Sequence, residues 1–155
     1  YTIVDERGME GKDMCEAWDG AGKLQAQIDG LGLERSIRLV GQKNKHEIIE
    51  IMDSCNLFIH PSRGENFSVA ILEGLASGLP VIATLCGGAA QCINENNGLL
   101  VEVGDIDQLE KAIKYMYEHI DEYNNMEISN ECLSKYSSVA IGKQIENVLN
   151  EVINR

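Results

Sequence analysis

Two short, uninterrupted apolar runs, Leu57 to His60 (LFIH) and Pro80 to Ala83 (PVIA), constrain the fold of this chain more than any other feature. A strand with one wet face alternates apolar and polar residues, whereas a strand covered on both faces stays apolar throughout. Both runs therefore read as strands of a parallel sheet with helices on either side. Between them, Ser68 to Ser77 sets Val69, Leu72, Leu75 and Ala76 at helical core spacing, and Gly78 suits the left-handed residue that ends such a helix. Leu57 to Thr84 is thus one strand, loop, helix and strand unit, around which the remaining segments are placed.

Upstream, Tyr1 to Val4 (YTIV) reads as a strand, with no initiator Met and no lead-in, as expected of a piece of a longer polypeptide. Asp5 to Asp19 is Gly-rich, charged and aperiodic, the signature of a loop. Gly22 to Leu31 is an amphipathic helix stopped by Gly32, and Ile37 to Val40 is a strand ended by Gly41. His46 to Cys55 groups Ile48, Ile49, Met52 and Cys55 on one helical face. Downstream, Gly98 to Val101 is the last strand, Gln108 to His119 a helix capped by Asp105 or Asp107, and Ser137 to Ile153 a long final helix. Alternating β and α segments of this size predict an α/β, Rossmann-like doubly wound parallel sheet with right-handed crossovers. In such sheets ligands bind beyond the carboxyl ends of the strands, which puts the loops after Val40, Pro61 and Thr84 on one rim.

Composition excludes several classes of function. A length of 155 residues fits one domain, and no apolar run approaches the roughly 18 residues needed to span a bilayer. The net charge of −12 argues against a general nucleic-acid binder, which needs a basic footprint. From Leu57 to Gln91 the acidic and strongly basic side chains are Arg63, Glu65 and Glu73 alone, so the central unit is not itself strongly acidic. Five cysteines without a CxxC pair, and with no histidine near a cysteine pair, favour small buried hydrophobes in a reducing, cytoplasmic setting over disulfides or metal ligands.

The chemistry lies in the central unit. Val69, Ala70 and Ile71 leave the first turn of its helix without an acid, so its amides and dipole are available to an anion such as a phosphate, unless Ser68 or Asn66 caps them. Glu65 precedes the helix and Glu73 sits on its second turn, leaning back toward the same rim. Carboxylates repel phosphate but grip hydroxyl groups, so a diphosphate flanked by sugars satisfies all three elements. The alternative is two solvated surface glutamates. His60 reads as a catalytic base or, with more weight, as a packed histidine at a strand end. Arg63 is either a phosphate contact or a solvent-facing loop residue, and Gly87 and Gly88 either admit a ligand or make a turn. Asp105-Ile106-Asp107 has the form of an Asp-x-Asp metal motif, but its place before a helix favours capping.

Pro61-Ser62, Glu65-Asn66-Phe67-Ser68 and Glu73-Gly74-Leu75-Ala76-Ser77-Gly78-Leu79-Pro80-Val81-Ile82-Ala83-Thr84 together resemble the Glu-x7-Glu segment of retaining glycosyltransferases of family 4, group 1. The likeness continues through Cys86-Gly87-Gly88, Asn97-Gly98-Leu99-Leu100-Val101 and Gly104-Asp105, and includes the Ile37 to Gly41 strand. It implies the nucleotide-sugar-binding C-terminal half of a glycosyltransferase B fold spanning residues 1–155, lacking that half's first strand and the N-terminal acceptor domain. On this resemblance Glu65 serves the transferred sugar and reacting centre, and Glu73 the ribose hydroxyls. Asn66, Phe67, Ser68 and Val69 offer amides to the diphosphate, while Gly41, Gln42 and Lys43 lie near the base. Arg63, Gly87 and Gly88 complete the donor contacts. Asn66 and Ser68 depart from the glycines usual there, and Ala89-Ala90-Gln91 replaces a common glutamate.

The function so implied is donor binding for transfer of a hexosyl group, with retention, to an acceptor hydroxyl. The partners implied are a nucleotide sugar and, in the full protein, an acceptor sugar or lipid-linked glycan, as in polysaccharide biosynthesis. Neither cofactor nor catalytic metal is implied, and the location is cytoplasmic, or peripheral at the inner membrane through the N-terminal domain. The isolated chain is expected to be inactive in transfer. Other readings are a nucleotide-binding or interaction module without transfer chemistry and a sugar-nucleotide epimerase; a phosphorylase would need a pyridoxal-phosphate lysine, for which the sequence makes no case.

Overall fold

The computed structural model describes residues 2–3 and 22–153. The expected loop from Asp5 to Asp19 lies outside the described residues, as do Tyr1 and Val4 of the first expected strand. The chain divides into two compact units, Tyr1–Ile51 and Met52–Arg155.

In the first unit β1 (Thr2–Ile3) runs parallel to β2 (Arg38–Leu39), with Thr2 opposite Arg38 and Ile3 opposite Leu39. Residues 22–30 form α1, whose Ile28 is buried, and the Leu33 amide reaches back to the Ile28 carbonyl at 3.0 Å as the helix stops at Gly32. Helix α2 (Lys45–Asp53) begins in this unit with a reciprocal cap. Asn44 Oδ1 accepts from the amides of His46 and Glu47 at 3.0 and 3.1 Å, and Glu47 Oε2 accepts from the Asn44 amide at 2.9 Å. Ile49, expected on the core face of this helix, is exposed.

The second unit contains a parallel sheet in the order β3 (Phe58–His60), β4 (Val81–Thr84), β5 (Gly98–Val101). Register places Phe58 opposite Val81, which in turn faces Gly98, so His60, Thr84 and Val101 end near one edge. Period-two alternation sorts the side chains into two layers. Val81 and Ala83 pack with Ile71 and Leu75 of α3 (Val69–Ala76), Ala89 and Cys92 of α4 (Ala89–Cys92), and Ile128 and Cys132 of α6 (Asn125–Tyr136). Ile82 and Val101 pack on the other side with Ala112 and Met116 of α5 (Ile106–His119). The central strand β4 is therefore buried at all four positions, which is why its sequence has no polar alternation. Leu75, Ile82 and Met116 are among the largest fully buried side chains, each worth roughly 1.5–3 kcal/mol of transfer free energy.

This is the α/β architecture with parallel strands and helices on both faces that the sequence implies. Helix α3 lies close on β3 because Gly74 faces Phe58; a Cβ there would stand 2.9 Å from the ring. It ends as expected at Gly78, whose φ of +80° lets its own amide reach Leu75 and that of Leu79 reach Gly74. Two elements go beyond the sequence expectation, the short α4 and the full helix α6. A 3-10 turn (Ile120–Glu122) links α5 to α6, and α7 (Ser138–Ile153) matches the long final helix with no buried residue along it. Among the described residues no helix is long and apolar enough to cross a membrane.

Candidate functional site

Parallel strands all present their carboxyl ends to one edge, so the loops after His60 and Thr84 emerge side by side. Three backbone-level ties fasten them. Thr84 Oγ1 donates to the Ser62 carbonyl at 2.5 Å, and Cys86 Sγ approaches the same oxygen at 3.7 Å. The Gly88 amide donates to the Asn66 carbonyl at 2.9 Å. Gly87, at φ +53°, lies so close to the first loop that a Cβ would stand 2.0 Å from the Glu65 carbonyl oxygen and 2.7 Å from that of Asn66. At Gly88 a Cβ would meet the Phe67 ring at 2.4 Å. The Gly-Gly pair is thus required by the fit of one loop against another, independently of any ligand.

The clipped loop leads into α3, and the start of that helix differs from its neighbours. Asp105 caps α5 by accepting from the Gln108 amide at 2.8 Å, which realises the capping reading of Asp105-Ile106-Asp107. Asn124 caps α6 by accepting from Met126 and Glu127. Ser68 stands in the same position on α3 with extended backbone, yet its side chain makes no capping hydrogen bond. No acid occupies the first turn. The expectation that Ser68 or Asn66 simply caps the helix therefore fails for Ser68, and α3 keeps the positive end of its dipole uncompensated by a side chain. Val69 is 61% exposed and Phe67 42% exposed, while Ser68 between them is buried, so one side of the turn faces solvent.

Glu65 stands in the loop with its side chain 36% exposed. Its Oε1 is 3.5 Å from Ser62 Oγ and 3.5 Å from His60 Nε2. The second distance falls within ion-pair reach but is too long for a hydrogen bond, and Nε2 is buried without a hydrogen-bond partner among the described residues. His60 also stacks on Phe58, centroids 6.2 Å apart and planes 16° apart, so the packed reading of this histidine holds. Glu73, half-buried on the second turn of α3, has no side-chain hydrogen bond or ion pair among the described residues. Arg63 is exposed, in keeping with a loop arginine facing water.

Gly41, Gln42 and Lys43 belong to the first unit. Gly41 has φ +65° with no atom of the described residues within 4 Å of a Cβ built there, and Lys43 pairs with Glu47 at 3.1 Å beside a cleft lined by Arg38, Leu39 and Val40. The Asn44 amide and then Lys43 hold the Glu47 carboxyl below its usual value. Within the second unit, Glu65, Asn66, Phe67, Gly87 and Gly88 are brought into direct proximity. Asn66 does so without backbone strain, since among the described residues positive φ occurs only at glycine. Sequence reasoning includes Ser62, Thr84 and Cys86 in the family likeness but gives them no role, and they hold the loops together; a polar residue ending the apolar run of β4 is the available signal for Thr84. The described cysteines are all free, with Cys92 and Cys132 buried as expected of small hydrophobes.

Residues 11–131 match the family model described as "Glycosyl transferases group 1". An uncharacterized glycosyltransferase of Methanocaldococcus jannaschii is 35% identical over 98 residues, covering 61% of this chain and 28% of that protein. A GDP-mannose-dependent alpha-mannosyltransferase of Corynebacterium glutamicum is 41% identical over 116 residues, covering 68% of this chain and 27% of that protein. The crystal structure of Anabaena HepE in complex with UDP-glucose superposes with a TM-score of 0.78 at 26% identity, covering 97% of this chain and 40% of that one. The chain spans less than a third of the length of the two relatives.

Proposed function

Because the chain belongs to the group 1 glycosyl transferases, whose model matches residues 11–131, we propose that it is the donor-binding, C-terminal part of a retaining hexosyltransferase. The carrying observation is the start of α3: a helix N-terminus with neither a side-chain cap nor an acid, opening beside two glutamates that have no strong partners of their own. The amides from Asn66 to Val69 would take the diphosphate, those at the helix start favoured by its dipole. Glu73, one turn further on, would accept from two ribose hydroxyls. Glu65, held in the clipped loop, would meet the transferred sugar. Solved relatives that hold UDP and UDP-glucose support a nucleotide sugar as the ligand class.

In the whole protein the acceptor hydroxyl would come from a sugar or lipid-linked glycan on an N-terminal domain and attack on the face from which the diphosphate departs. Stabilising that departing charge is the largest demand of the step, and preorganised amides at a helix end meet it without reorganisation. No metal is assigned a role in this reading, and the enzyme would work in the cytoplasm or at the inner face of the membrane.

Calorimetric titration with UDP, GDP and ADP sugars, using Glu73→Ala and Glu65→Ala variants, tests the proposal. The expected pattern is that Glu73→Ala weakens nucleotide and nucleotide sugar alike, while Glu65→Ala weakens the nucleotide sugar alone. Absence of binding by all of them would refute the donor site.

A further inference from the structure

The carboxylate of Glu65 does not hold itself in place. Its Oε1 lies between Ser62 Oγ and His60 Nε2, both at 3.5 Å, while Oε2 has no partner among the described residues. His60 is fixed from below: it is the last residue of β3, its ring stacks on Phe58, and the parity of the strand sets both rings on the α3 side of the sheet. The ring is thus rigid and its Nε2 buried, without a hydrogen-bond partner among the described residues, and the Glu65 carboxylate faces it within ion-pair reach. A buried ring nitrogen left unpaired is unfavourable, and a charge-assisted N–H···O bond is reached at about 2.7–2.9 Å, less than an ångström closer than the present separation.

We propose that His60 is a positioning residue for Glu65: its Nε2–H tautomer donates to Oε1 when the donor sugar is bound, leaving Oε2 directed at a sugar hydroxyl. The assignment rests on the reading of Glu65 as the sugar-contacting carboxylate. It explains why a polar residue closes the otherwise apolar β3. The Ser62 carbonyl is anchored by Thr84, while its hydroxyl lies 3.3 Å from the Gly64 carbonyl and 3.5 Å from Glu65 Oε1, so its one proton has a nearer acceptor than the carboxylate. The rigid group facing Oε1 is therefore the His60 ring.

The two amide substitutions separate positioning from packing. In His60→Gln the amide nitrogen falls near the place of Nε2, whereas in His60→Asn it falls near that of Nδ1. The readout is the ratio of the dissociation constant of the nucleoside diphosphate to that of its sugar conjugate, measured by calorimetry on the 155-residue chain with UDP against UDP-glucose and GDP against GDP-mannose. The expected result is a ratio within about threefold of wild type for His60→Gln and about tenfold lower for His60→Asn, with the diphosphate alone binding equally to both. An unchanged ratio in His60→Asn, where Glu65→Gln lowers it, overturns the role of His60 while leaving that of Glu65 intact. An unchanged ratio in Glu65→Gln, or no binding by any of the four probes, overturns the reading of Glu65 and this proposal with it. Equal weakening of diphosphate and conjugate in His60→Asn would mean a structural residue only, and so also contradicts the proposal.

Discussion

Replacing Gly87 by alanine tests the loop-to-loop fit on which the site depends. The added Cβ would lie 2.0 Å from the Glu65 carbonyl oxygen and 2.7 Å from that of Asn66, distances that non-bonded atoms do not adopt. One loop must retreat by about an ångström, an overpacking strain of the kind that costs roughly 1–3 kcal/mol. The residue also has φ +53°, which an L side chain tolerates at a further cost of about 1–2 kcal/mol. Gly104→Ala supplies the control, because Gly104 has φ +82° with no atom of the described residues within 4 Å of its would-be Cβ. It carries the backbone cost without the collision. Urea unfolding followed by circular dichroism should therefore place Gly87→Ala about 1–3 kcal/mol below Gly104→Ala, with unchanged slopes. The displaced loop should also weaken nucleotide-sugar binding, by roughly tenfold for about one lost hydrogen bond. Equal destabilisation of the two variants, within about 0.5 kcal/mol, would refute the contact between the loops.

The helix caps give a second set of outcomes. Asn124→Ala and Asp105→Ala should each cost about 1 kcal/mol in thermal or urea unfolding, whereas Ser68→Ala should cost clearly less, because its hydroxyl caps nothing in the free protein. The acid limb supplies a third. Glu47 has its carboxyl depressed below 4.5, first by the Asn44 amide and then by Lys43, so its contribution is present above that value and disappears as pH falls through the lower, folded value. A carbon-13 titration should find Glu47 titrating below its ordinary value, and the stability gap between wild type and Glu47→Gln should close as pH falls from 5 towards 3, about the carboxylate range.

How far these features could be read in the sequence follows from how local their causes are. The β3 and β4 runs were legible because burial on both faces removes polar alternation, and the α3 stop was legible because a left-handed residue selects glycine. Helix α6 escaped because its sequence, NMEISNECLSKY, buries only Ile128 and Cys132 and offers little periodicity, although Asn124 was a visible cap. Helix α4, at four residues, is too short for a period to register. In the site the two carboxylates and the acid-free first turn of α3 stand out from residue types alone, whereas the absence of a Ser68 cap does not, since serine is a common capping residue. The clip between the loops did not, since it joins backbone groups of Asn66 and Gly88 and a Ser62 carbonyl whose proximity the sheet register creates. Nothing in the identity of Ser62 marks its carbonyl as the acceptor of Thr84. The direction in which Glu65 points was likewise hidden, because it depends on the path of a loop, whereas the face on which His60 sits follows from strand parity.

The central claim, that the start of α3 and the clipped loop before it form the donor site, is tested most directly by amide nitrogen-proton correlation spectra of the labelled chain during addition of UDP, GDP and their glucose and mannose conjugates. The account predicts saturable shifts concentrated in the amides from Asn66 to Ile71 and at Gly87, with the conjugates adding shifts at Glu65. Saturable shifts elsewhere that leave those amides unmoved, or no shifts with any of these ligands at millimolar concentration, would contradict it.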